Sequence, residues 1–587
     1  MYSNKENVNI LTSLLLEYGV SDAVVCPGSR NAPIVHNLSV CEAIRCRPVT
    51  DERSAAFYAL GLAIATRRPT VVCVTSGSAL LNVMPAVAEA AYQHVPLVVI
   101  SADRPQQWID QLDGQTIPQS DALGRFVRKA VQLPEPHNDE ERWLCRRLVN
   151  EAMHLATCRQ GAPVHINVPI SEPLFEFSTE QLPQLSRFNN IKRAVIKDAS
   201  MDMPDAFHDA TRPMIVIGQL AHGTVSHETI RSLSEKYVVM SEPLSNPSYM
   251  TIHFDEAIRY IVSDNSSIND DEDDKTAYYP DYVIYVGDTL VSKPARRFLR
   301  NAKAPSCLIT PDAADIHDPL MTLTDIVECD TVSINALLAS LCEAPDTDER
   351  CRFHDRWQSF LDACAAHADA YAPEYSQMAT VKYFEEQLAD LDIDICVHYA
   401  NSSAVRLACI YAQHYVWCNR GVNGIEGSLS TAAGFSLATH DMTVCVIGDL
   451  SFFYDQNALW NQNLDGSLRI IVLNNGGGAI FGKFEGLKQS DARERLVMAE
   501  HHTSAVNACQ ANNIVYMGAD DMKSLKYGID QLIHADSDRP MLLEVFTDIE
   551  TDNRVLKEYY DTLELLSSRE MFERAQARIR GILKEGK

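Results

Sequence analysis

The sequence predicts an α/β protein built from three doubly wound parallel-sheet domains. Short apolar, β-branched runs alternate with helix-like stretches along most of the chain, the pattern of strands buried in parallel sheets and joined by helical crossovers. A chain of 587 residues has room for three or four domains, and 46% hydrophobic residues supply enough apolar surface for sizeable cores. Two weakly periodic stretches, at about 170–195 and 340–375, interrupt the alternation, the second of them also holding a helix. The three domains are therefore expected at 1–180, 195–345 and 376–565.

In the first region, strands are expected at Asp22–Cys26, Thr70–Val74, Leu97–Ile100 and Pro163–Val168. The turn Pro27-Gly28-Ser29-Arg30-Asn31 feeds a helix. Asp51–Arg68 has Ala, Leu and Ile on one face and reads as a helix, and Thr75-Ser76-Gly77-Ser78 opens another that runs to Gln93. The second region has strands at Met214–Ile217, Tyr237–Met240, Tyr282–Val286 and Cys307–Ile309, and an acidic run, Asp264–Lys275, that reads as a solvated loop. The third has strands at Ile393–His398, Val444–Ile447, Ile470–Leu473 and Met541–Phe546. The last 20 residues, rich in Arg, Lys and Glu, read as a surface helix.

The stretch from Val444 to Phe481 is the most informative. One strand ends in Gly448-Asp449-Leu450, and the next ends in Asn474-Asn475-Gly476-Gly477-Gly478. Ligands of open α/β sheets sit beyond the carboxyl ends of the strands. Here both ends carry hard oxygen donors: the Asp449 carboxylate, the Asn475 amide oxygen and a carbonyl near Gly477. Mg²⁺ takes a few protein oxygens and completes its octahedron with phosphate and water, so the implied ligand is a diphosphate. In isolation Gly-Asp and Asn-Gly are also common turns. Gly477, Gly482 and Lys483 match most of a P-loop, but Phe484 stands where a Mg²⁺-binding Ser or Thr is required.

Composition excludes several classes. No run of 18 apolar residues is present, so no membrane span is expected. The first residues lack the basic start and cleavage site of a signal peptide. The 16 cysteines are scattered without a Cys-x-x-Cys, which points to a reduced, cytoplasmic protein. A net charge of −28 argues against a nucleic-acid partner, and it makes any gathering of arginines near a site more informative.

Segments spread over most of the chain carry a resemblance: CPGSRNAP (26–33), DERSAAFYALGLA (51–63), TSGSALLN (75–82), SADRP (101–105), GQTIPQ (114–119), NRGVNGIEG (419–427) and GDLSFFYDQNAL (448–459). The last resembles the Gly-Asp-Gly to Asn-Asn motif of thiamine-diphosphate enzymes, with Leu450 in place of the third-position glycine. As a set, the segments resemble the 2-succinyl-5-enolpyruvyl-6-hydroxy-3-cyclohexene-1-carboxylate synthases of menaquinone biosynthesis. The resemblance implies a pyrimidine-binding domain, a central domain and a diphosphate-binding domain, with thiamine diphosphate and Mg²⁺ or Mn²⁺ as cofactors. It implies a transferase that decarboxylates 2-oxoglutarate and adds the succinyl unit to isochorismate, working as a homodimer or homotetramer with sites between chains. The alternatives are another 2-oxoacid decarboxylase, an acetolactate-type synthase, or a catalytically silent metabolite-binding relative.

The resemblance also assigns residues. Glu52 would bond the aminopyrimidine ring and is the expected catalytic residue, although an isolated Asp-Glu-Arg at a helix start also suits the helix dipole. Asp449, Asn475 and Gly477 would hold the metal. Thr75, Asn419, Ile425, Gly448, Leu450, Ile480 and Phe481 would complete the cofactor pocket, with Ile425 as the bulky aliphatic prop and the glycines of 419–427 offering amides to phosphate. Ser29, Arg30, Arg104, Gln115, Lys293, Ser402, Arg406 and Arg420 would surround the two dianionic substrates, since guanidinium forks bind carboxylates bidentately. His36, His94, His398, His501 and His502 match no catalytic position and are expected to be satisfied structural or surface residues.

Overall fold

The computed structural model describes residues 1–184, 203–248, 250–262, 276–312, 316–389, 391, 394–439, 441–483 and 485–564. The expected acidic loop at 264–275, Phe484 and the C-terminal 20 residues lie outside this set. Three sheets organise the chain, every strand pairing within them parallel.

The first sheet holds β1 (Asp22–Val25), β2 (Arg45–Pro48), β3 (Thr70–Val74), β4 (Leu97–Asp103), β5 (Lys129–Gln132) and β6 (Val164–Pro169), in the order β2-β1-β3-β4-β6-β5. The second holds β7 (Pro213–Ile217), β8 (Val238–Ser241), β9 (Tyr282–Val286), β10 (Ser306–Thr310) and β11 (Leu323–Glu328), in the order β11-β10-β9-β7-β8. The third holds β12 (Ile395–Tyr399), β13 (Val416–Trp417), β14 (Met442–Gly448), β15 (Leu468–Asn474), β16 (Val515–Ala519) and β17 (Met541–Phe546), in the order β13-β12-β14-β15-β17-β16. Sequence reading did not anticipate β2, β5, β11, β13 and β16.

The first and third sheets share one strand order. Each chain run goes outward by one strand and then returns to the other side of its starting strand. That places a topological switch point between β1 and β3 in one sheet and between β12 and β14 in the other, where ligands of such sheets bind. The central strands are buried on both faces, and their apolar runs form the cores on either side.

The first and third sheets meet through two helices, Glu52–Thr66 and Ser428–Ser436. Asp51 caps the first, accepting from the amides of Arg53 (2.9 Å) and Ser54 (3.1 Å). The helices cross at glycine. A Cβ on Gly61 would lie 2.0 Å from the Thr431 carbonyl oxygen, and one on Gly434 would lie 2.2 Å from that of Tyr58. The Tyr58 hydroxyl donates to the Ala458 carbonyl across the same seam (2.5 Å). Gly61→Ala therefore overpacks backbone against backbone and should destabilise the protein by about 1–3 kcal/mol or more. A thermal melt unchanged from wild type would show that the seam can open without cost.

Among the described residues, no helix is long and apolar enough to cross a membrane. All 16 cysteines are free.

Candidate active site

The third sheet carries the oxygen-donor end of the candidate site. Gly448 of β14 pairs with Leu473 of β15, so Asp449 and Asn474-Asn475-Gly476-Gly477 leave the sheet at one level. Asp449 is buried. Its Oδ2 accepts from the amides of Gly476 (2.8 Å) and Gly477 (3.0 Å), and its Oδ1 from that of Leu450 (2.6 Å). Burial outweighs these bonds and raises its carboxyl above the usual carboxylate range. The Asn475 amide nitrogen donates to Asp552 Oδ2 (2.8 Å), which directs the amide oxygen away from Asp552. Gly477 has a φ of 158°, and a Cβ there would come within 3.0 Å of the Met498 carbonyl oxygen. Among the described residues no cluster of three or more His, Cys, Asp or Glu could hold a metal unaided. A single carboxylate, one amide oxygen and one carbonyl instead fit a hard divalent cation that draws its remaining ligands from phosphate and water.

His501 belongs to this end too. Its Nε2 lies 3.4 Å from Asp449 Oδ2 and makes no hydrogen bond, while its Nδ1 accepts from the Thr503 amide (3.1 Å). The expectation of a satisfied histidine therefore fails here. It fails also for His398, whose buried Nε2 has no partner and whose pKa burial pushes down to about 3. His398 packs flat on Trp417, with ring centroids 5.6 Å apart, and the apolar contacts leave its nitrogen no acceptor.

At the second switch point, Asn401, Ser402 and the 419–427 loop meet. The Asn401 amide nitrogen donates to the carbonyls of Asn419 (2.5 Å) and Gly424 (2.8 Å), and its oxygen accepts from Arg420 Nη1 (3.1 Å). Asn419 donates to Thr431 (3.0 Å). The loop differs from expectation in one respect. The amides of Gly421 and Val422 do not stand open to phosphate, because Glu89 of the first domain takes both at 2.7 Å. Ile425 and Phe481 are 41% and 38% exposed, open faces unlike ordinary core. Ser402 adopts φ 77°, and its carbonyl accepts from Arg406 Nη1 (2.5 Å).

The first sheet contributes a second cluster. Beyond β1 stand Ser29, exposed, and Arg30, buried; beyond β3 stands buried Thr75; beyond β4 stands Arg104. Gly28 lets β1 and β3 close up, since a Cβ there would meet Thr75 Cβ at 2.4 Å. Arg30 donates to the Ile170 carbonyl (3.0 Å) and pairs with Glu172 (3.3 Å); burial and then the neighbouring Arg104 lower its pKa. Arg104 donates to the Gly114 carbonyl (3.2 Å), next to Gln115 with its φ of 56°. Glu52, part-exposed at the first turn of its helix, accepts from Asn82 (3.1 Å).

Between the central and third domains lies a cavity of about 270 Å³, lined by Lys293, Arg406, Ala479, Ile480 and Asp552, with Glu242, Asp255 and Glu256 on its central-domain wall. Burial, and then the nearby Arg420, lower the Arg406 pKa. Among the described residues, Arg104, Lys293, Arg406 and Arg420 make no ion pair within 4 Å. In a chain of net charge −28, cations that make no ion pair are candidates to hold anions, although Glu242, Asp255, Glu256 and Asp552 share the cavity wall with Lys293 and Arg406. The structure brings Lys293 and Arg406 to one cavity and keeps Arg30, Arg104 and Gln115 together elsewhere, beyond the first sheet.

Residues 6–123 match the family model described as the thiamine pyrophosphate enzyme N-terminal TPP binding domain. Along its length the chain is similar to proteins named 2-succinyl-5-enolpyruvyl-6-hydroxy-3-cyclohexene-1-carboxylate synthase. It is 39% identical to that of Bacteroides fragilis over 573 residues, covering 96% of this chain and 100% of the relative. It is 38% identical to that of Phocaeicola vulgatus, covering 96% and 99%. It is 33% identical to that of Flavobacterium psychrophilum, covering 93% and 96%.

Proposed function

The chain belongs to the family of 2-succinyl-5-enolpyruvyl-6-hydroxy-3-cyclohexene-1-carboxylate synthases, and on that premise we propose that it joins the succinyl part of 2-oxoglutarate to isochorismate, with loss of CO₂, in menaquinone biosynthesis. The observation that carries this reading is an oxygen-donor loop, Asp449 with Asn475 and Gly477, whose Asn475 bonds Asp552 on the wall of a cavity that also holds Lys293 and Arg406, neither of them in an ion pair among the described residues.

Thiamine diphosphate, when bound, supplies the carbon nucleophile that adds to a 2-oxo group and the sink for the electrons left by CO₂. This chain's residues do the rest. Asp449, the Asn475 amide oxygen and the Gly477 carbonyl hold Mg²⁺ or Mn²⁺, and through it the diphosphate. Glu52 holds a proton at a ring nitrogen of the pyrimidine. Thr75, Asn419, Ile425, Gly448, Leu450, Ile480 and Phe481 shape the pocket, the two part-exposed apolar side chains, Ile425 and Phe481, gaining cover from the cofactor. Ser402, Arg406 and Arg420 hold the distal carboxylate of the donor. Arg104 and Gln115 of one chain, with Ser29 and Arg30 beside them, serve the acceptor together with Lys293 of the other chain, which shares its cavity with Arg406. Guanidinium is suited to this task because it keeps its charge when buried and binds carboxylate at two points.

Glu52 and Asp449 act on one cofactor from two chains, so the working unit is a homodimer or homotetramer, cytoplasmic and without a nucleic-acid partner. Exposed Leu81, which no cofactor contact accounts for, supports a face covered by a second subunit.

The test is CO₂ release from 2-oxoglutarate, measured with and without isochorismate, thiamine diphosphate and Mg²⁺. Release should require both cofactors and rise with isochorismate, in step with formation of the coupled product. Release from shorter 2-oxoacids in preference to 2-oxoglutarate would favour a decarboxylase or acetolactate-type enzyme. No release at all would favour a silent relative.

A further inference from the structure

We propose that Asp552 is a positioning residue for the cation site: its carboxylate fixes the Asn475 side chain with the amide oxygen, not the amide nitrogen, toward the metal. This rests on the cation reading given under Proposed function. A carboxamide is nearly symmetric in shape, so turning it by half a revolution replaces a metal ligand with an NH₂ group that offers a cation no lone pair. Something must choose between the two. An ionised carboxylate only accepts hydrogen bonds, so a carboxylate beside Asn475 selects the orientation in which the NH₂ faces it. Asp552 Oδ2 accepts from Asn475 Nδ2 at 2.8 Å.

Asp552 is itself held on two further sides. Thr547 Oγ1 donates to the same Oδ2 (2.8 Å), and the Gln377 amide, at the start of the helix Gln377–Ala389, donates to Oδ1 (2.8 Å). The Thr547 amide in turn donates to the Asn474 carbonyl (2.9 Å), so the support is anchored to the same strand end that delivers Asn475. Asp552 lies in the first turn of the helix Ile549–Glu564. Its neighbour Asn553 donates to the Ala479 carbonyl at 3.4 Å, on the far side of the glycines. Two consecutive residues of one helix thus grip both ends of the 475–479 loop. Outer partners that orient metal ligands commonly matter 10- to 100-fold in metal affinity, and Asp552 has the geometry of one.

The experiment titrates Mg²⁺ into full-length protein with thiamine diphosphate and follows cofactor binding by calorimetry, without turnover. Asp552→Asn keeps size but can donate to the Asn475 oxygen, which removes the selection. Its Mg²⁺ midpoint should rise about 10- to 100-fold, with thiamine diphosphate affinity returning to within about threefold of wild type at saturating Mg²⁺. The double variant Asn475→Asp, Asp552→Asn presents a ligand oxygen in either orientation, and should bring the midpoint back toward wild type. Thr547→Val removes one support of Asp552 and should shift the midpoint the same way by less, which keeps the test open if Asp552→Asn does not fold. An unchanged midpoint in Asp552→Asn, or an equal loss of cofactor affinity at every Mg²⁺ concentration, overturns the proposal. Asp449→Ala run in parallel separates the two levels. If it too leaves the Mg²⁺ dependence intact, the cation reading is at fault; if it alone abolishes that dependence, only the role of Asp552 is wrong.

Discussion

Glu52→Gln should lower turnover about 100- to 10,000-fold, the usual worth of a positioned proton-transfer group, while thiamine diphosphate and Mg²⁺ still bind. The substitution keeps the side chain's size and its ability to accept from Asn82, so the helix Glu52–Thr66 and its Asp51 cap stay in place. What it removes is the carboxylate that holds a proton at the pyrimidine ring. Steady-state rates measured beside cofactor affinity separate the two effects. Activity near wild type in Glu52→Gln would remove Glu52 from the chemistry.

Asp449→Ala should have the complementary effect: cofactor affinity lost by more than about 100-fold, above what loss of an outer partner costs, with the fold retained. Asp449 stands where β14 ends, and its carboxylate is spent on three amides of the loop, Leu450, Gly476 and Gly477. Without it, those amides turn to water and the diphosphate loses the cation that offsets its charge. The loss should show in calorimetry with Mg²⁺ present, while the cofactor-free protein still melts as a folded, cooperative unit, at a temperature lowered by the three amides left without their acceptor. Unchanged affinity would place the metal elsewhere.

Most strands visible in the sequence lie inside their sheets; β8 is the exception, an edge strand legible because it is a fully buried apolar run. β3, β7 and β9 lie inside their sheets, and each is a continuous, fully buried run of apolar and β-branched residues. The five unanticipated strands, β2, β5, β11, β13 and β16, are all edges. β2 is Arg-Cys-Arg-Pro with exposed ends, and β11 alternates half-buried and exposed positions. β2, β5 and β11 carry charge, which edge strands use against stray pairing and which breaks the apolar run; β13 is only two residues long, and β16 is mostly half-buried.

A similar divide holds for the site. Asp449, Asn475 and Gly477 could be proposed from sequence because all three follow directly on strand ends within one short stretch of chain. Asp552 was not. It lies 77 residues beyond Asn475 on a helix whose sequence gives no local sign of a ligand-orienting role. Glu89 is a single acid in the apolar run Met84–Tyr92, and that isolation is the one signal that could have marked it as the clamp on Gly421 and Val422. Of the two amides it occupies, the sequence points that of Gly421 to phosphate, because an intrachain partner 332 residues away leaves no trace in the local pattern. His501 reads from sequence as a satisfied structural or surface residue for the same reason. Its place beside Asp449 comes from the Gly476–His501 backbone contact, in which the His501 amide donates to the Gly476 carbonyl at 2.8 Å.

The central claim is that Glu52 and the Asp449 loop serve one cofactor, each supplied by a different chain. Mixing Glu52→Gln protein with Asp449→Ala protein measures this directly. Each alone should be nearly inactive. After subunit exchange, a mixed dimer holds one site with both defects and one with neither, so activity should return toward a fraction of wild type as mixed dimers form. Demonstrated exchange with no return of activity would contradict the account and place both residues at a site within a single chain.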